Sequence, residues 1–241
     1  MSLNQSLIMA QEEWNEAVLF PHVTEHENHM LSRPFYFGVS PEYVESPKRI
    51  MIIGQEARAY GSYHDDWPMP DIQQWGIDYL RRQLWNIRPT EFKYNRSAFW
   101  RFFRTFAKSG YVPCWNNIDK VHLQKGNEST IRLSYDLKKV FCRTYGEDGK
   151  SLLQREIAIA RPDAVIFITG PKYHVSMTES LGMSEGGLNH TRPNSEAFCK
   201  NITKEVSLGI PVFWSYHPTY LNRCHKLADC VQTIIEEIEK V

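Results

Sequence analysis

The chain has 241 residues, of which 42% are hydrophobic, and its 28 basic residues (Lys and Arg) are balanced by 28 acidic ones. At about 100–200 residues per domain, this length fits a single globular domain over residues 1–241, and no apolar run approaches the roughly 18 residues of a membrane span. The formal net charge of zero argues against tight, non-specific DNA binding, although it does not exclude a local basic face.

The first predicted elements are an N-terminal helical extension, residues 1–45, and then a series of buried strands. Short apolar runs that are bounded by polar or Gly- and Pro-containing loops are typical of such strands. Four of these runs follow one another along the chain, at Arg49–Ile53, Tyr111–Trp115, Ala164–Thr169 and Ile210–Trp214.

Helices are predicted between and after these strands. The clearest is Ser97–Ser109, which has Ser97 as its N-cap and Gly110 at its end. One apolar face of this helix is formed at positions i, i+3, i+4 and i+7 by Phe99, Phe102, Phe103 and Phe106. Two further helices are expected at Asp148–Ala160 and Asn222–Val241. Strands that alternate with helices predict an α/β fold, with a three-layer α/β/α arrangement around a central, mainly parallel four-stranded sheet.

The cysteines bear on metal sites and on the redox environment of the chain. They are five in number, widely spaced and without a CxxC pair, namely Cys114, Cys142, Cys199, Cys224 and Cys230. This pattern argues against a disulfide framework and against a four-cysteine zinc or iron–sulfur site. We therefore expect no metal and no other cofactor, and a reducing, cytoplasmic environment.

The loops at the carboxyl ends of the predicted strands are the places to look for a binding site, because ligands of open parallel sheets bind there. After the first strand comes Gly54-Gln55-Glu56, where the glycine permits a tight turn. Glu56 is either a carboxylate that faces the start of a helix or a functional group at the mouth of the sheet.

Polar residues also follow the second and the last strand. Adjacent Asn116 and Asn117 are either turn formers or amides that read a ligand, since an amide offers both a donor and an acceptor. The donor and the acceptor of one such amide match the O4 and N3–H edge of uracil. His217 stands at the end of the last strand, where Pro218 makes the chain rigid.

Three segments resemble motifs of the uracil-DNA glycosylase-like superfamily, in the same order along residues 47–238. Gly54-Gln55-Glu56 resembles Gly-Gln-Asp-Pro-Tyr of one branch and Gly-Glu-Ala-Pro-Gly of the thermophilic branch. Asn117-Ile118-Asp119-Lys120 resembles the thermophilic Asn-Val-Val-Lys. The segment from Tyr216 to Arg223 resembles the late motif His-Pro-Ser-Tyr-Leu-Leu-Arg.

The resemblance implies a monomeric DNA glycosylase that hydrolyses the N-glycosidic bond of uracil or another damaged base flipped out of DNA, without a metal or cofactor. It implies that Glu56 and His217 are catalytic. The residues that it places around the base are Gly54, Gln55, Tyr60, Asn117, Pro218 and Thr219. It also places a DNA wedge at Leu221 and Arg223, although Leu221 fits the core of the last helix equally well.

The sequence departs from the family pattern in the first motif. Glu56 stands where one branch has Asp, Ala57 where it has Pro, and Arg58 where it has the Tyr that excludes thymine. Two alternatives of other classes therefore stay open. One is a non-catalytic nucleic-acid or nucleotide-binding protein of the same fold, and the other is a hydrolase of free nucleosides or nucleotides.

Overall fold

A computed structural model describes residues 1–23, 30–56, 67–85, 95–125, 129–183 and 198–240. Its α-helices are α1 (Leu3–Trp14), α2 (Phe20–Val23), α3 (Pro41–Glu45), α4 (Met69–Trp85), α5 (Ala98–Lys108), α6 (Tyr135–Cys142), α7 (Leu152–Ala160), α8 (His174–Ser180), α9 (Pro218–Arg223) and α10 (Leu227–Ile238). Its strands are β1 (Met30–Leu31), β2 (Arg49–Glu56), β3 (Val112–Asp119), β4 (Leu123–Lys125), β5 (Ser129–Ile131), β6 (Thr144–Tyr145), β7 (Lys150–Ser151), β8 (Ala164–Phe167), β9 (Cys199–Asn201) and β10 (Val212–Ser215).

The central sheet has five strands, in the order β3-β2-β8-β10-β9. The four strands that the apolar runs predict are all present and pair in parallel, and β9 adds to the edge in the antiparallel direction. The prediction of four strands is therefore corrected to five. β9 carries no apolar run because it is a three-residue edge strand whose side chains are only half-buried or exposed.

Helices cover both faces of this sheet. Along β2, Met51 and Ile53 pack with residues of α1, α7 and α8 in one core cluster. Ile50 and Ile52 point the other way and pack with residues of α5, α9 and α10 in a second cluster. Because successive side chains of a strand alternate between faces, one continuous apolar run supplies both clusters.

The described residues of the segment 1–45 contribute to the core, so this segment is more than an extension. Trp14 is 1% exposed, and its indole N–H donates to the carbonyl oxygen of Phe141 over 3.2 Å. Gln11 Nε2 donates to the carbonyl oxygen of Phe37 and to Glu156 Oε1, both at 3.0 Å, and so joins α1 to α7. β1 pairs with β4 in a separate three-stranded sheet.

The predicted start of α5 is confirmed, whereas the bounds predicted for two other helices differ from those in the structure. Ser97 caps α5 as predicted, since its hydroxyl accepts the Trp100 N–H at 3.4 Å. The helix predicted from Asp148 begins only at Leu152, because residues 150–151 form β7. The helix predicted over Asn222–Val241 is two helices, α9 and α10, with His225 at a positive φ of 56° between them. Among the described helices, none combines the length and the apolar character needed to cross a membrane.

Candidate functional site

A cavity of about 760 Å³ opens where β2 and β3 end and α9 begins. Six of the residues predicted for the site line it: Gln55, Glu56, Asn117, His217, Thr219 and Arg223. The parallel pairing of β2 with β3 explains part of this convergence, because it sets Gly54 opposite Asn117 and Glu56 opposite Asp119. Glu56 and Asn117 therefore belong to strand ends, where the backbone ladder fixes their positions, and not to loops.

Asn117 is a buried amide in the cavity wall, with 1% of its surface exposed. The Trp115 indole N–H donates to Asn117 Oδ1 at 3.2 Å, and because an indole only donates, this contact defines which end of the amide is the oxygen. The amide nitrogen, Nδ2, is buried and has no hydrogen-bond partner among the described residues. A buried donor without a partner lowers the stability of the protein by about 1–3 kcal/mol, and a hydrogen bond to an acceptor on a bound ligand would recover this free energy.

Gly54 has a different role from the tight turn that the sequence suggests. It lies within β2, and a Cβ atom at this position would stand 2.6 Å from Asn117 Oδ1. Real Cβ atoms do not approach other heavy atoms this closely, so a larger residue would push the Asn117 side chain aside. Gly54 therefore makes room for the Asn117 amide in the cavity wall.

Behind the cavity wall, a buried polar network holds the backbone of Asn117. Asn116 Oδ1 accepts the Asn117 backbone N–H at 2.7 Å and the Lys120 ammonium at 2.5 Å. Asn116 Nδ2 donates to Glu156 Oε2 at 2.8 Å, and Lys120 Nζ lies 2.6 Å from the same oxygen. Burial lowers the pKa of the Lys120 ammonium, while the charge of Glu156 acts in the opposite direction.

Asp119 belongs to a second buried ion pair, which it forms with Lys138. Asp119 Oδ2 lies 3.3 Å from Lys138 Nζ, and Asp119 Oδ1 accepts the Ser176 hydroxyl at 2.5 Å. Burial raises the pKa of the Asp119 carboxyl, and Lys138 and Ser176 oppose this shift. The two ion pairs join the end of β3 to different helices, α7 for Lys120 and α6 for Asp119.

His217 is held at the start of α9 by its backbone and by its ring. Its Nδ1 accepts the Thr219 backbone N–H at 3.2 Å, which leaves the proton of the neutral imidazole on Nε2. The imidazole stacks on Phe99 with 5.9 Å between ring centroids and 24° between planes. Pro218 is the first residue of the helix and is buried. His217 is therefore a preorganised hydrogen-bond donor in the cavity wall.

Gln55 and Glu56 form the part of the wall contributed by the end of β2. Gln55 Nε2 donates to the carbonyl oxygen of Thr169 at 2.7 Å, so the side chain of this predicted base-binding residue links β2 to the segment that follows β8. Glu56 is half-buried and lines the same cavity as Asn117 and His217. An amide, an imidazole donor and a carboxylate thus share one cavity.

Much of the rest of the wall is aromatic, and most of these rings were not predicted for the site. Among the described residues, six Trp, Tyr and Phe rings line the cavity: Trp75, Tyr79, Phe99, Trp100, Trp115 and Tyr220. Trp115 was predictable, because it lies two residues before Asn117 and therefore on the same face of β3. Phe99 was assigned to the core face of α5, but it lies at the cavity edge of that face, 5.9 Å from the Trp115 ring.

Two arginines also line the cavity, and both are exposed. Arg223 is the last residue of α9 and was predicted for the site. Arg132 follows β5, and its Nε donates to the Tyr173 hydroxyl at 3.2 Å. No sequence signal points to Arg132, because its position depends on how the small sheet packs beside the central one.

Among the predicted site residues that the structure describes, three do not line the cavity, namely Gly54, Pro218 and Leu221. Leu221 is fully buried in the core cluster formed with α5 and α10, so the structure gives it the core role and not that of an exposed wedge. The physical reason is its position on the inner face of α9, whereas its neighbours Tyr220 and Asn222 are exposed. Tyr60, like Ala57 and Arg58, lies outside the described residues.

Within the described part of the chain, no three His, Cys, Asp or Glu side chains are grouped so that they could hold a metal ion. No protein-family model matches the sequence, and a search of curated proteins found no significant match.

Proposed function

We propose that this protein is a DNA glycosylase of the uracil-DNA glycosylase-like superfamily, which hydrolyses the N-glycosidic bond of uracil or another damaged base in DNA. The observation that carries the proposal is the buried Asn117 amide, whose Nδ2 has no partner among the described residues, in a wall shared with Glu56 and His217. The order of the three motifs along the chain supports the same assignment.

Base recognition follows from the amide and the rings together. A base that leaves the DNA stack loses its stacking partners and its paired edge, and a pocket must replace both. In this proposal the base stacks with its face against the aromatic wall around Phe99 and Trp115. Asn117 Nδ2 donates to a carbonyl oxygen of the base, and Asn117 Oδ1 uses its second lone pair to accept a ring N–H.

In the cleavage of the bond, His217 and Glu56 each have one role. As the bond from C1′ to the base nitrogen breaks, its electron pair leaves with the base, and His217 Nε2–H donates to the oxygen on which the charge develops. The Glu56 carboxylate stabilises the positive sugar and accepts a proton from the water that attacks C1′. That proton then passes to the departing base, so the products are a free base and an abasic site.

The test is an excision assay on oligonucleotides that each carry one of uracil, hypoxanthine, xanthine or an oxidised base. We expect the wild-type protein to release at least one of these bases and His217→Ala to release it far more slowly. The matched control is His225→Asn, which changes a histidine outside the cavity and keeps a residue that tolerates the positive φ of 56°.

A non-catalytic nucleic-acid or nucleotide-binding protein of the same fold is the second candidate. The balance of 28 basic and 28 acidic residues favours it, because proteins that act along DNA usually carry a basic excess. If the wild-type protein binds oligonucleotides but releases none of the tested bases, this second candidate replaces the first.

A further inference from the structure

Two exposed aromatic rings stand at the mouth of the cavity. Trp75 of α4 is 37% exposed and Tyr220 of α9 is 45% exposed, and both line the cavity. Each lies on a second ring, with 5.3 Å and 13° between Trp75 and Tyr79, and 4.6 Å and 35° between Tyr220 and Tyr216. A large ring that is supported from behind and exposed at the cavity mouth is suited to stacking against another flat group.

The charges at the mouth indicate what kind of flat group this is. Arg223 lies one helical turn beyond Tyr220, and Arg132 is held by the Tyr173 hydroxyl. A guanidinium group forms paired hydrogen bonds with a phosphate, so rings and arginines around one opening match the bases and phosphates of a nucleic-acid strand. Among the described residues that line the cavity, Glu56 is the only one with a carboxylate.

We propose that Trp75 and Tyr220 stack against the bases that flank the target nucleotide, and that the site therefore takes single-stranded DNA. In a duplex the flanking bases already stack on their neighbours and are held by pairing, so they cannot lie on protein rings. In a single strand they are available, and stacking on a protein ring is insensitive to sequence. This proposal rests on the proposed function only in taking DNA as the ligand.

The buried position of Leu221 supports the same conclusion from a different observation. Removing a base from a duplex leaves a gap in the stack, which an apolar side chain of the protein can fill. Leu221 is 0% exposed in the core, so the apolar one of the two residues predicted for the wedge does not supply it. A single-stranded substrate has no paired stack to repair and does not need a wedge.

The experiment measures binding of a fluorescein-labelled oligodeoxythymidine by fluorescence anisotropy, alone and paired with its complement. We expect the wild-type protein to prefer the single strand, and Trp75→Ala and Tyr220→Ala each to lose roughly 5- to 150-fold in affinity for it. Trp75→Phe and Tyr220→Phe should keep most of the affinity. Tyr135→Ala, which removes a ring that is 48% exposed and does not line the cavity, should bind like wild type.

Equal affinity for the single strand and the duplex, or full single-strand affinity in both alanine variants, overturns the proposal. Because binding is measured without any damaged base, the result is independent of the excision assay. Ring-dependent single-strand binding without excision of any base would uphold this proposal and remove the glycosylase function. Excision from duplexes as fast as from single strands would uphold the glycosylase function and overturn this proposal.

Discussion

At the scale of single residues, the proposed recognition of a base would depend on the orientation of one amide. Trp115 fixes Asn117 Oδ1, and Gly54 leaves the space that this oxygen occupies. The donor, Nδ2, is then the end of the amide that a ligand has to satisfy. Trp115 and Gly54 would thus decide which base edge is read, because they set the orientation of the amide.

Asn117→Asp tests this directly. The change replaces the Nδ2 donor with an acceptor, so a carbonyl oxygen at this place meets an acceptor and the amino group of cytosine meets a partner. We expect discrimination to shift from uracil toward cytosine. The excision rate on uracil should fall by about 5- to 150-fold, because one polar group is left unpaired. Single-turnover excision from oligonucleotides that differ only in the target base gives the ratio. An unchanged ratio would remove Asn117 from base reading.

At the scale of elements, the end of β3 is held by a buried ion pair to each of two helices. The Lys120–Glu156 pair reaches Asn117 through Asn116, whereas the Lys138–Asp119 pair holds a position two residues further on. Removing one partner of a buried pair leaves the other charge without compensation, which costs about 3–5 kcal/mol. Both pairs stabilise the fold, but only the first one positions the amide that faces the cavity.

The roles of stabilising the fold and of positioning the amide can be separated by comparing Lys120→Met with Lys138→Met. We expect both variants to lose about 3–5 kcal/mol in free energy of unfolding, measured with urea. Base discrimination in the excision assay should fall in Lys120→Met and stay near wild type in Lys138→Met. If the two variants discriminate equally well, the network around Asn116 stabilises the fold without positioning Asn117.

Some elements of the sheet and site were predictable and others were not, for physical reasons. β2, β8 and β10 are covered on both faces, so their apolar runs stand out, whereas the half-buried edge strand β9 has none. Glu56, Asn117 and His217 were found because carboxyl ends of parallel strands share one edge. The side chains of Tyr79, Trp100 and Arg132 reach the cavity only through the packing of their elements, which local sequence patterns do not encode.

At the scale of the whole molecule, the N-terminal segment is part of the folding unit. Trp14→Ala should therefore lower the free energy of unfolding by about 3–5 kcal/mol, as expected for a large ring removed from a packed core. Phe20→Ala is the matched control, because Phe20 is 48% exposed and should change stability by less than about 0.5 kcal/mol. Equal urea midpoints for Trp14→Ala and wild type would show that the segment is dispensable for folding.

The central claim for the molecule is that the cavity at the carboxyl edge of its sheet cleaves an N-glycosidic bond. The most direct test is single-turnover excision of the best substrate by wild type, His217→Ala and Glu56→Gln, with equilibrium binding to the same oligonucleotide. Loss of a preorganised donor should slow His217→Ala by about 100- to 1,000-fold while its DNA affinity stays near wild type, because the contact strengthens only as charge develops. Glu56→Gln should also be slower at unchanged affinity. If wild type excises a base and both variants match its single-turnover rate, the cavity is not the catalytic site.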